Sequence, residues 1–245
     1  MGVFADHQPM FVEVETTTYC NRRCSYCPNS IYERGSRANE VRMPTELFEK
    51  VVTDLGGNNF CMQFSPHRYG EPLADPRMPD LLDLARAAMP LARIALYTNG
   101  DFLNPDLFDR LNRSVDAFVI TQHGDTMPAG VRQTLDRFGG QHPKIRYKTA
   151  QDIQAQASNR AGIIPISYTR RSACGVVMNE LHINAHGDLM LCCEDYLGKK
   201  TFGNIRDVTI EEAWNMPERM AVHRANVRGE FALDQCLSCG YGRMF

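Results

Sequence analysis

What this sequence lacks narrows the field first. No apolar run approaches the ~18 residues that span a bilayer, so no membrane-embedded function is expected. Neither sign of charge dominates: 27 Lys and Arg stand against 29 Asp and Glu, a net charge of −2. Without a basic surplus, nothing draws the chain onto nucleic acid or an anionic membrane. Met1 to Met10 holds Asp6, His7 and Pro9 but no apolar core. It does not read as a secretory signal, and a cytoplasmic location is expected. Tandem repeats and low-complexity tracts are absent, and Gly and Pro are too sparse for wholesale disorder. The 245 residues suffice for one large domain, or a medium domain with a small annex.

Cysteine is what the sequence does have. The nine are Cys20, Cys24, Cys27, Cys61, Cys174, Cys192, Cys193, Cys236 and Cys239. An odd count in a chain expected in the cytoplasm is not a disulfide framework; clustered thiols there bind metal or do chemistry. Cys61 falls inside an apolar run read as a strand and is expected in the core.

The first 150 residues alternate strand and helix patterns. Strands are expected at 11–15, 60–65, 93–97, 116–121 and 144–149. Helices are expected at 44–55, stopped by Gly56-Gly57, and at 78–89, 105–112 and 129–138. Such alternation implies a parallel sheet with right-handed crossovers, and ligands beyond the carboxyl ends of its strands. The pattern then changes. Gln151 to Ser158 is polar and weakly helical, Leu181–Asn184 and Asp188–Leu191 flank a Gly turn, and a helix starts at Thr209 around Trp214. The expected division is 10–155 and 156–245.

Cys20, Cys24 and Cys27 form a C-x3-C-x2-C run on the loop after the first strand. Three close thiolates can hold three irons of a [4Fe–4S] cube and leave the fourth open to chelate a small molecule. Zinc usually takes four ligands in paired spacings, unlike this one. The second group is Cys174, Cys192, Cys236 and Cys239. Four thiolates fill a whole [4Fe–4S] cluster or a zinc site, and spacing alone does not separate the two.

On these residues the chain resembles the radical S-adenosylmethionine (AdoMet) enzymes. That resemblance implies a partial (β/α)6 barrel followed by a small C-terminal α+β domain with an auxiliary [4Fe–4S] cluster, the twitch type. The C-terminal match rests on the hairpin ending in Cys192, on Gly203-Asn204-Ile205 before the Trp214 helix, and on the closing C-x2-C. The implied cofactors are two [4Fe–4S] clusters and AdoMet, which is cleaved to a 5′-deoxyadenosyl radical. The implied ligands are Cys20, Cys24 and Cys27 for one cluster and Cys174, Cys192, Cys236 and Cys239 for the other.

For AdoMet the resemblance points to Tyr26, to Tyr69-Gly70-Glu71-Pro72 after the second strand, to Thr98-Asn99-Gly100 and to Gln122-His123. Tyr69 stands where the family has Gly. Thr98-Asn99 also reads as an ordinary strand-end turn, and His123 as a structural histidine. Within the family, Glu13-Val14-Glu15, Cys27-Pro28-Asn29-Ser30, the 97–103 stretch and Asn159-Arg160 are similar to aminocyclitol dehydrogenases of aminoglycoside biosynthesis.

Cys193 departs from that pattern, which has an aromatic there. A thiol beside a carbon radical can return a hydrogen atom to the opposite face, as in radical AdoMet epimerases of aminoglycoside sugars. Cys193 also reads as a small buried hydrophobe. The expected reaction is therefore epimerisation at a carbinol carbon of an aminoglycoside sugar or aminocyclitol, with Cys193 as hydrogen donor. The alternative is oxidation to a ketone. Glu194 and Arg160 are the candidates for proton handling, or else surface salt-bridge residues. The exposed-looking Arg22-Arg23 suit an acidic electron donor of flavodoxin or ferredoxin type.

Overall fold

The computed structural model describes residues 8–154, 157–167 and 172–240, so the expected helical stretch 151–158 lies partly outside them. The chain runs β1 (Phe11–Val14), α1 (Thr45–Gly57), β2 (Gln63–Ser65), α2 (Met78–Ala88), β3 (Arg93–Thr98), α3 (Pro105–Leu111), β4 (Ala117–Thr121), α4 (Ala129–Asp136), β5 (Ile145–Lys148) and α5 (Ala150–Gln154). It continues through α6 (Val176–Asn179), β6 (Glu180–Ile183), β7 (Asp188–Met190), β8 (Thr201–Asn204), α7 (Ile210–Trp214), α8 (Pro217–Val227) and α9 (Asp234–Leu237).

One eight-stranded sheet has the order β5-β4-β3-β2-β1-β6-β7-β8. The strands from β5 to β6 are parallel, and β7 and β8 return antiparallel. The sixth parallel strand comes from beyond residue 156: β6 pairs with β1, Glu13 opposite His182. The same apolar cluster spans both regions, joining Phe48, Phe64 and Phe118 to Phe202, Ile210 and Trp214. One core therefore runs across the expected boundary.

Alternation along the strands sorts the two faces. Val12, Val14, Phe64, Ile94, Leu96, Phe118, Ile120, Leu181 and Ile183 point at the helices and are buried. Each such side chain contributes roughly 1.5–3 kcal/mol by leaving water. Their neighbours Phe11, Glu13, Gln63, Tyr97, Thr121 and Glu180 line a cavity of about 650 Å³ on the other face.

Two local expectations are corrected. Helix α1 runs through Gly56-Gly57 to a cap at Asn58. A Cβ on Gly56 would lie 2.1 Å from the Ala88 carbonyl oxygen, so this glycine serves the α1–α2 approach rather than a stop. Cys61 is exposed, just before a strand that begins only at Gln63. Its backbone N–H donates to Gln8 Oε1 at 3.2 Å.

Candidate active site

Cys20, Cys24 and Cys27 lie beyond the carboxyl end of β1 and line the large cavity together. Tyr26, Tyr69, Gly70, Glu71, Thr98, Asn99 and His123 line it too, as do Arg160, Cys193 and Glu194. Gln122, expected to face the same space, does not. Its amide donates to the Gly124 carbonyl and accepts from the Tyr147 hydroxyl, which turns it aside. His123 Nδ1 meets the Tyr26 hydroxyl.

Glu71 organises the loop after β2. Its carboxylate accepts from Thr98 Oγ1 at 2.6 Å, the Asn99 N–H at 2.8 Å and the Leu73 N–H at 3.0 Å. Burial outweighs these bonds and pushes its pKa up to about 7. Gly70 beside it is sterically required: a Cβ would lie 1.8 Å from the Thr17 carbonyl oxygen. Tyr69 reaches across the cavity, its hydroxyl donating to the Cys193 carbonyl at 2.6 Å.

Arg160 and Glu194 line the same cavity as the three thiols. Arg160 Nη1 donates to Glu194 Oε1 at 2.9 Å, and the Ser158 hydroxyl donates to Glu194 Oε2. Arg160 and Ala161 hold left-handed backbones, φ 48° and 51°, uncommon for residues with a side chain. Asn159 fixes this loop: its amide donates to the Ser238 carbonyl at 2.7 Å and its oxygen accepts from the Gly240 N–H at 2.8 Å.

Beside Glu13, the cavity floor brings in Glu180 and His182, which no motif flagged. His182 lies between two carboxylates, Nδ1 at 2.8 Å from Glu13 and Nε2 at 3.0 Å from Glu180. Burial opposes its charge, but the two carboxylates win and raise its pKa. Burial alone would raise Glu13; the His182 cation brings it down to about 2. The available signal was a glutamate at an inward position of an otherwise apolar strand, in β1 and again in β6.

Cys174, Cys192, Cys236 and Cys239 line a second, mostly apolar cavity with Val176, Val177, Leu191 and Phe231. Cys192 and Cys193 therefore face different cavities, and Glu194 lines both. Asp195 lines the second cavity and accepts from the N–H groups of Lys199 and Lys200. Burial pushes Cys20 up to about 12, Cys236 up to about 11, and Cys192 and Cys193 well above the usual thiol range. A dense set of buried thiols ionises only against a group that brings its own positive charge, which the irons of a cluster do. Both sets fit thiolate-ligated clusters. Arg22 and Arg23 pair with Asp101 and Glu33.

Two family models match this chain. The sequence model of the radical SAM superfamily matches residues 14–166, and that of an iron-sulfur cluster-binding domain matches 174–240. The S-adenosyl-L-methionine-dependent 2-deoxy-scyllo-inosamine dehydrogenase of Niallia circulans is 31% identical over 209 residues, 83% of this chain and 81% of that protein. The crystal structure of BtrN in complex with AdoMet and 2-DOIA superposes with a TM-score of 0.86 at 28% identity, covering 96% of this chain and 94% of that one. BtrN in an open conformation gives 0.72 at 26% identity over 92% and 88%. No helix among the described residues is long and apolar enough to cross a membrane.

Proposed function

The chain belongs to the radical SAM superfamily, and from that premise we propose that it oxidises a carbinol carbon of an aminocyclitol or aminoglycoside sugar to a ketone. Its cofactors are two [4Fe–4S] clusters and AdoMet. The observation that carries the reading is one cavity lined by three thiols together with the Arg160–Glu194 pair, backed by a four-thiol site that shares Glu194. The resemblance of this architecture to the inosamine dehydrogenase supports the ketone-forming outcome.

Bound in the two sites, the clusters and AdoMet supply hydrogen-atom abstraction and an acceptor for the second electron. The residues do the rest. Cys20, Cys24 and Cys27 hold the first cluster, and Cys174, Cys192, Cys236 and Cys239 the second. Glu71 takes the AdoMet ammonium, with Gly70, Thr98 and Asn99 shaping that end and Tyr26 and His123 closing the other. The Arg160 guanidinium holds the carbinol oxygen, and Glu194 accepts its proton as the carbon becomes a ketone. Glu13 and Glu180, on either side of His182, offer carboxylate oxygens to a substrate ammonium. The loss balances as one hydrogen atom, one proton and one electron. The electron that starts the reaction comes from an external donor of flavodoxin or ferredoxin type.

A second reading, redox-neutral inversion of the same carbon, is favoured by one observation. Cys193 lines the substrate cavity, and its burial keeps the S–H intact at neutral pH. A product assay in deuterium oxide, on a panel of aminocyclitols and pseudo-disaccharides, tests both. Oxidation yields ketone, no deuterium on carbon, and ketone from Cys193→Ala as well. Inversion yields no ketone and one solvent deuterium, and turns into ketone formation in Cys193→Ala. Failure to release 5′-deoxyadenosine with any of these substrates would overturn both.

A further inference from the structure

Helix α8 buries Arg219, His223 and Asn226, spaced i, i+4 and i+7 on one stripe where a surface helix normally places apolar residues. Burying polar groups is costly unless something answers them. Arg219 is 2% exposed, and its guanidinium donates to the carbonyls of Val177, Trp214 at 3.0 Å and Glu180 at 3.2 Å. It lies 3.9 Å from the Trp214 ring centroid. Among the described residues no carboxylate pairs with it. Burial lowers its pKa to about 9, which still leaves a cation at neutral pH.

Two turns further along the helix, Asn226 is 3% exposed. Its side-chain amide points at Cys236 Sγ, 3.8 Å away, while its backbone carbonyl accepts from the Cys174 N–H at 3.0 Å. Asn226 lines the four-thiol cavity, and so does Val177, whose carbonyl Arg219 holds. The stripe therefore runs from an unpaired buried cation behind the cavity wall to an N–H donor on a candidate ligand sulfur.

We propose that Arg219 and Asn226 set the reduction potential of the auxiliary cluster, raising it so that this site is the electron acceptor of the two. The proposal rests on the four-thiol ligand assignment made above. Adding an electron makes a thiolate-ligated cluster more negative. A donor to its sulfur and a cation in the surrounding low dielectric both stabilise that reduced state more than the oxidised one. Neither residue reaches the substrate cavity; both act through the cluster.

The test is a spectroscopically monitored redox titration of the full-length chain carrying Cys20→Ala, Cys24→Ala and Cys27→Ala, which isolates the auxiliary signal. In that background Asn226→Leu removes the amide and leaves the backbone bond to Cys174. Arg219→Met removes the charge and keeps the length. Both are expected to lower the midpoint potential at unchanged iron content, and Arg219→Lys is expected to restore it. Should Arg219→Met lose iron, Asn226→Leu decides the matter. A midpoint that stays put in the iron-loaded variants overturns the proposal. Absence of a cubane signal from the background itself overturns the ligand assignment instead.

Discussion

On the segment that carries Cys20, Cys24 and Cys27, three arginines are answered by carboxylates: Arg22 by Asp101, Arg23 by Glu33 and Arg34 by Glu15. Around the other four thiols, the buried arginine has no such answer among the described residues, and an amide points at a sulfur. The first site opens onto a cavity of about 650 Å³ with many charged side chains, and the second is walled mainly by Val, Leu and Phe, with Glu194 and Asp195 among its lining. One chain thus offers two thiol sites with opposite surroundings. A neutralised, solvent-facing setting favours a cluster that gives electrons away. A dry setting with a buried cation behind its wall and an amide on a sulfur favours one that takes them.

The largest expected effect separates the two sites outright. Replacing Cys20, Cys24 and Cys27 by Ala should abolish 5′-deoxyadenosine release and remove about half the iron. Replacing Cys174, Cys192, Cys236 and Cys239 by Ser should remove the other half, yet leave AdoMet cleavage without ketone. Iron analysis and product quantification check both. Equal loss of cleavage in the two sets would erase the distinction drawn here.

Next in size is the Arg34–Glu15 pair. Glu15 is fully buried and also receives the N–H groups of Tyr69 and Ala185. Burial would raise its pKa, but the Arg34 charge and hydrogen bonds bring it below the usual value. Arg34→Met strands that carboxylate and should cost about 3 kcal/mol, measured by denaturant titration. A lowered carboxylate pKa gives stability that is present above the ordinary value and lost as pH falls through the shifted one. The variant should lose that acid sensitivity and gain stability on acidification. Arg219→Met leaves no carboxylate stranded and should show no such reversal.

Much of this contrast was legible in the sequence, and the reasons are local. The βα alternation and the cysteine spacing gave the parallel strands and both thiol groups, because strand period and ligand spacing are properties of short segments. The opposed facing of Cys192 and Cys193 followed from the resemblance and not from spacing, since it depends on how the turn after β7 packs. Cys61 misled because an apolar run resembles a strand, although only its last three residues find a partner. Gln122 misled because its amide is claimed by Tyr147, 25 residues away. The pairing of β6 with β1 joins residues about 170 apart, and no local pattern announces it.

A smaller effect probes AdoMet binding at the first site. On the proposed role of Glu71, Glu71→Gln should weaken AdoMet about 10-fold, read by equilibrium binding to the reconstituted protein. Because burial holds Glu71 at about 7, its anion forms only as pH rises through that value. AdoMet affinity should rise over that window in the unaltered protein and respond less in the variant. The sign for stability is the reverse. A carboxyl raised from 4.5 to about 7 stabilises the cofactor-free fold fully below 4.5, and that contribution is lost as pH climbs through 7.

The smallest effect asks whether the two regions unfold together. Helix α7 carries a capping box: Thr209 Oγ1 accepts from the Glu212 N–H at 3.1 Å, and Glu212 Oε2 from the Thr209 N–H at 2.8 Å. Helix α3, in the other region, is capped by Asn104, whose oxygen accepts from the Leu107 N–H at 2.9 Å. Thr209→Ala and Asn104→Ala should each cost about 1 kcal/mol and lower Tm by roughly 2–4 °C. Helix α7 is tied to α1 through Asp54, which accepts from the Ile210 N–H at 3.3 Å, and through Lys50, which donates to the Val208 carbonyl at 3.1 Å. With β6 bonded along β1 as well, both substitutions should move the same calorimetric transition. If Thr209→Ala shifted only a separate, lower transition, the four-thiol region would be an independent folding unit, and its closed surroundings would owe nothing to the shared sheet.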